Sequence, residues 1–176
     1  MLGNIFKEFR IEDLIPRGRD LGLAIASVTL PDYNSFDNWV NVSRSITSQR
    51  PSASAPPLVV DLSSLWAGPL TGSLLASLGA EVIKVESSKR LDGARRNEND
   101  PAGEREFYDL MNGDKKSFTC DFTTQKGRQQ LLRLIECADI VIESSRPRAL
   151  RQLGIHAEKL VAEKPGKVWL SLTAYG

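Results

Sequence analysis

The sequence predicts an α/β fold: a mostly parallel sheet with flanking helices, preceded by a helical N-terminal extension. Three observations predict it. Short runs rich in apolar and β-branched residues recur at 58–62, 81–86, 117–122, 139–143 and 168–173, as expected of strands buried on both faces. Segments of helical period separate them, which implies right-handed crossovers between parallel strands. The 176 residues are 41% hydrophobic and 26% charged, an ordinary globular composition with enough apolar matter for one core.

The first fifty residues read differently from the rest. Ile5, Phe6, Phe9 and Ile11 predict a helix from Asn4 to Leu14, broken by Pro16 and Gly18. A second helix is expected from Asp20 to Val28. The segment LPDYNS is turn chemistry, and Ser35 is a candidate N-cap for a helix through Ile46. The stretch at 48–57 is rich in Ser, Pro and Ala and reads as a linker. The expected organisation is therefore a helical extension at 1–47, a linker at 48–57 and an α/β domain at 58–176.

The α/β part opens with LVVDLSSLWAGPLTGSLLASLGAEVIKVE at 58–86. Leu58 to Leu62 is a short strand, and 63–68 a turn. Pro69 suits a helix entrance, where its missing N–H costs nothing. Leu70, Leu74, Leu75 and Leu78 recur at helical spacing as an apolar face. Gly79 ends the helix, and Glu81 to Glu86 is the next strand. Such a unit brings a turn and a helix N-terminus to the carboxyl edge of a sheet, where α/β proteins bind ligands. The expected sheet is therefore Rossmann-like. The stretch from Ser87 is polar, with 97–103 expected as a surface loop. Helices are predicted at 104–112, from Thr124 to about Cys137, at 147–153 and at 157–162.

Several function classes are excluded at this level. The net charge of +1 gives no electrostatic case for nucleic acid or an anionic membrane. No apolar run is long enough for a bilayer span, and the N-terminus has no signal-peptide pattern. Cys120 and Cys137 have neither CxxC spacing nor a histidine cluster, so no metal site is expected. They read as buried free thiols of a cytoplasmic protein. His156 is the one histidine. It lacks an identifiable nucleophile and orienting acid and is expected as an exposed or capping residue. Asp61 is expected to bond the turn that follows it. Lys115 and Lys116 are expected as solvated groups at the start of a strand.

The segments DLSSLWAGP and LASLGAEVIKVE resemble the opening of the class III CoA-transferases of the CaiB/BaiF type. FYDLMNGDKKSFTCDF at 107–122, KGRQQLLRLIECADIVIESSRP at 126–147, LRQLGI at 150–155 and KPGKVWLSLTAYG at 164–176 follow in the family's order. The resemblance covers about Pro57 to Gly176. It implies a protein that moves CoA between carboxylic acids, or isomerises an acyl-CoA, as an intact homo-oligomer or with a complementary chain. CoA or acyl-CoA is then a substrate, and no cofactor is permanently bound.

The resemblance also implies site positions. Trp66 and Ala67 line the channel for the pantetheine arm, against the simpler reading that Trp66 only closes the sheet edge. Ser87, Cys120, Thr123, Ser144, Ser145, Gln152 and Leu153 fall at the family's other CoA-side positions. Relatives place basic groups at 87, 123 and 152, so weak CoA binding is expected here. Arg146, Arg148 and Arg151 are candidate substitutes, or else a solvated basic face. The family's attacking Asp follows the TAYG-like segment, so no residue of this chain is expected as nucleophile, and the chain alone is expected to be inactive. Two other readings are a catalytically silent CoA-binding or assembly module and a nucleotide-binding oxidoreductase domain. For the latter, Glu86 would hold a ribose hydroxyl, but the turn carries only Gly68 where a dinucleotide fingerprint needs three glycines.

Overall fold

The structure, a computed structural model, describes residues 9–23, 25, 42, 55–95 and 101–173. The α/β unit spans Ile46–Thr173, and the helix near the N-terminus belongs to a separate unit. That helix, α1 (Ile11–Asp20), runs through Pro16 and Gly18 rather than stopping before them. A proline removes one donor but leaves the flanking turns free to bond. Glu12 and Asp13 in the first turn and Arg17 and Arg19 in the last match the helix dipole. The second helix expected from Asp20 is absent over residues 21–23. Of the helix expected after Ser35 only Val42 is described, and it is not helical; the rest of that helix and most of the linker lie outside the described residues.

The α/β unit contains β1 (Leu58–Asp61), α2 (Ala67–Ser77), β2 (Glu81–Ser87), a 3₁₀ turn (Gly93–Arg95), α3 (Pro101–Asn112), β3 (Lys116–Cys120), α4 (Gln125–Cys137), β4 (Ile140–Glu143), α5 (Pro147–Gln152), α6 (Ala157–Glu163) and β5 (Val168–Ser171). The five strands form one sheet in the order β3-β2-β1-β4-β5, and every pair is parallel. The first strands fit the apolar pattern closely. Val59 and Val60 of β1 are fully buried and sit against Val82 and Ile83 of β2. Two core layers result. Val60, Val85, Cys120 and Val141 face α4 through Leu131 and Ile135, with Ile155 and Leu160 completing the layer. Val59, Val82 and Ile142 face the other way, with Leu75 and Ala76 of α2 against them.

Three expectations change here. Helix α3 begins at Pro101, so of the loop expected over 97–103 the residues 101–103 are helix, and 97–100 lie outside the described residues. In α2, Leu75 packs inward, whereas Leu70, Leu74 and Leu78 are exposed. The buried positions are Gly68, Pro69 and Gly72, because α2 approaches the sheet along its small residues. Cys120 is buried as expected, but Cys137 is exposed at the end of α4. Among the described residues no helix is long and apolar enough to cross a membrane.

Candidate functional site

In this strand order the chain moves from β1 outward to β2 and β3, then returns to the other side of β1 with β4 and β5. The carboxyl ends of β1 and β4 therefore flank the point where the winding reverses, which leaves a crevice between the outgoing turns. Two turns meet there. Leu62 N–H donates to the Ile142 carbonyl at 2.8 Å, continuing the β1–β4 pairing past the end of β1. Ser64 N–H then donates to Ser144 Oγ at 3.2 Å. Ser145 is turned back, its N–H and Oγ donating to Glu143 Oε2 at 2.8 and 2.5 Å.

The turn after β1 has an unusual backbone. Leu65 has φ 71°, the only positive value at a non-glycine among the described residues. A β-carbon in the left-handed region costs roughly 1–2 kcal/mol, so bonds from the surroundings must hold it. Leu65 N–H donates to Asp92 Oδ1 at 3.0 Å. Directly after it, Trp66 occupies the N-cap position of α2, and its side chain is largely exposed. The Trp66 ring meets Phe107 of α3 edge-on at 6.2 Å between centroids. Gly68 is required by close approach, since a Cβ there would collide with the Ser63 side chain.

Four buried charges lie beneath this turn. Asp61 and Lys84 are register partners on β1 and β2, so their side chains share one sheet face. Asp61 Oδ1 accepts Ser63 N–H at 3.0 Å and also the Ser63 hydroxyl. Asp61 Oδ2 receives Lys115 Nζ at 2.8 Å, and neither side chain reaches solvent. Lys115 also donates to the Pro69 carbonyl at 2.7 Å and Asn112 Oδ1 at 2.9 Å. Lys84 Nζ donates to the Ser63 carbonyl and to Asp92 Oδ2, the latter at 2.7 Å. Burial drives the Lys115 pKa below its ordinary value, against the opposing pull of Asp61. Burial acts to raise Asp92, but the Lys84 hydrogen bond, the Ala94 and Leu65 N–H groups and the Lys84 charge hold it below the usual carboxylate range.

A second cluster closes the next strand end. Glu86 accepts Arg95 Nε and Nη2, the latter at 2.9 Å, with Asp92 N–H at 2.9 Å and Tyr108 OH at 3.0 Å. The guanidinium of Arg95 lies 3.6 Å from the Tyr108 ring centre. Burial, then the Glu86 charge, pushes the Tyr108 hydroxyl up to about 12. With these partners Glu86 is occupied as a structural anchor, which removes the acid a dinucleotide site would use for ribose.

The positions expected from the family resemblance fall into two groups. Trp66 and Ala67 follow β1 and Ser144 and Ser145 follow β4; Ser64 makes the bond between the two turns, while the Trp66 ring meets Phe107. Ser87 ends β2, with Oγ accepting Lys89 N–H at 3.3 Å. Thr123 is exposed beyond the edge strand β3 and bonds Asp121 through N–H at 2.9 Å and Oγ1 at 2.6 Å. The Cys120 side chain lies in the core, its thiol on the Gly127 carbonyl at 3.5 Å. Gln152 is exposed at the end of α5, whereas Leu153 packs against the core. His156 is the exposed N-cap residue of α6, without a side-chain cap bond. Asp61 bonds its turn as expected. Lys115 corrects the expectation of a solvated group, because Asp61 pairs it under Gly72; Lys116 is exposed and pairs with Glu81 at 2.6 Å. Lys84 and Asp92 were not singled out by the sequence, where a lone lysine among β-branched residues carries no mark of a buried partner.

The family model described as CoA-transferase family III matches residues 57–176. The chain is 40% identical over 121 residues to "Probable fatty acyl-CoA transferase Rv3272" of Mycobacterium tuberculosis, a match covering 67% of this chain and 30% of that protein. It is 35% identical over 133 residues to the succinyl-CoA–D-citramalate CoA-transferase of Chloroflexus aurantiacus, covering 74% of this chain and 33% of the relative. The crystal structure of Rv3272 superposes with a TM-score of 0.60 at 38% identity, over 72% of this chain and 35% of that one. A CaiB/BaiF family protein from Brucella suis gives 0.57 at 34% identity, over 66% and 32%. The chain thus spans about a third of the length of the relatives it matches.

Proposed function

The chain belongs to CoA-transferase family III, and from that membership we propose that it forms the CoA-side part of an enzyme moving CoA between carboxylic acids. Its substrates in that role are an acyl-CoA and a carboxylic acid. The observation that carries the reading is the exposed Trp66 in the turn after β1, a turn that Ser64 N–H ties to Ser144 at the reversal point of the sheet. An exposed indole at a ligand crevice is an apolar wall for a flexible pantetheine chain. We assign the nucleotide phosphates to Arg146 and Arg148, which are exposed just past β4; Arg151 is instead paired with Glu158 at 2.8 Å.

The chemistry of the edge favours binding over covalent catalysis by this chain. Asp61, Asp92, Glu86 and Glu143 are each engaged by buried or neighbouring donors. Asp121 at the end of β3 holds Thr123. A carboxylate attacking a thioester must be free to approach its carbonyl carbon, and Asp61, Asp92 and Glu86 have both oxygens held. We therefore assign the attacking carboxylate to a residue other than these three. Isothermal titration with CoA tests the reading. We expect a dissociation constant above the low micromolar range, because Ser87, Thr123 and Gln152 replace charge-assisted contacts of ~1–3 kcal/mol each. Trp66→Ala is expected to weaken binding about fivefold or more with an unchanged unfolding midpoint. Absence of binding at millimolar CoA, or an unaffected Trp66→Ala, overturns the assignment.

A further inference from the structure

The turn that presents Trp66 is held by a residue 27 positions away in sequence. Asp92 is 4% exposed and satisfies three donors at once: Leu65 N–H and Ala94 N–H on Oδ1, each at 3.0 Å, and Lys84 Nζ on Oδ2 at 2.7 Å. Lys84 in turn donates to the Ser63 carbonyl, on the other side of Leu65. The pair therefore grips the turn at two backbone points, two residues apart. Between those points lies Ser64, whose N–H reaches Ser144. A left-handed leucine has no intrinsic preference for its conformation. It persists only where neighbours over-determine it, a pattern concentrated at ligand sites.

We propose that Asp92 is a positioning residue for CoA, its Oδ1 holding Leu65 in the left-handed conformation that turns Trp66 outward at the crevice. The inference rests on the CoA-binding reading above for its ligand, but not for its geometry. Asp92 touches no substrate atom in this role. It acts through Leu65, and Lys84 supplies the countercharge that lets a carboxylate occupy a dry position.

The test separates the acceptor at position 92 from the buried charge. Two double variants are made in the full chain, Asp92→Asn with Lys84→Met and Asp92→Ala with Lys84→Met. Neither leaves an unpaired buried charge, and only the first retains an acceptor for Leu65 N–H. Amide hydrogen exchange at Leu65 is read without ligand, followed by a CoA titration of each variant. The alanine variant should exchange Leu65 about tenfold faster than the asparagine variant, and should bind CoA at least about fivefold more weakly. Equal Leu65 exchange in the two overturns the inference. So does a difference in exchange with equal CoA affinity. If the unsubstituted chain binds no CoA, the reading of the site as CoA-binding fails, and the exchange comparison alone decides whether Asp92 holds the turn.

Discussion

The Lys115 ammonium lies 2.8 Å from Asp61 Oδ2, and neither side chain has any exposure to solvent. This pair joins the start of β3 to the end of β1 beneath α2. The α2 backbone passes close over it at Gly72, where a Cβ would stand 3.0 Å from both Asp61 Oδ2 and Lys115 Nζ.

Removing one partner should therefore be far worse than removing both. Lys115→Met leaves Asp61 buried with an unpaired charge, expected to cost about 3–5 kcal/mol. Lys115→Met with Asp61→Asn should lose clearly less. Urea unfolding of the three proteins checks this, and equal losses in the single and double variants would remove the pair from the account.

Most of the sheet was readable before the structure, and the polar interior was not. The strand at 58–61 announces itself because Val59 and Val60 are apolar on both faces. The helix from 125 does so because Thr124 is a capping residue: its Oγ1 accepts Gly127 N–H at 3.0 Å. Lys84 alternates with Ile83 and Val85 like a solvent-facing residue of a half-buried strand, yet it is 1% exposed. Its partner Asp92 is brought close only by the tertiary path of the chain, which no local period encodes. Pro16 misled for the opposite reason: a local breaker signal was overridden by a helix whose ends carry complementary charges.

Thr124→Ala should cost about 0.5–2 kcal/mol through loss of that cap. Denaturant midpoints with an unchanged slope check it. A change below the experimental error would mean that α4 is held at its start by packing alone.

At the opposite edge of the sheet, Lys167 Nζ donates to the carbonyls of Ile135, at 2.6 Å, and Ala138. Burial, reinforced by the charge of Lys164, lowers its pKa from 10.5 to about 8. The unfolded chain then binds more protons than the folded one between these values, so this group's contribution makes stability rise with pH from about 8 to about 10.5. Unfolding free energies of the native protein and Lys167→Met, measured from pH 7 to 10, should diverge in slope over that window. Parallel profiles would contradict the linkage.

Leu70 and Leu74 of α2 and Leu78, just past its end, are exposed at 38%, 57% and 83%. Contiguous apolar surface of this kind drives association. The chain is expected to self-associate as concentration rises, and Leu74→Glu with Leu78→Lys should suppress it. Light scattering across a concentration series decides, and a monomer at every concentration would reject the expectation.

In the proposed role, CoA meets this chain where β1 and β4 part. The most direct measurement is a nitrogen–proton NMR map of the labelled chain titrated with CoA, which also registers weak binding. The largest shifts are expected on Ser63 to Gly68 and on Ser144 and Ser145, with smaller ones at Arg146 and Arg148. Shifts confined to the other end of the sheet, around Lys164 and Lys167, or absent throughout, would contradict it.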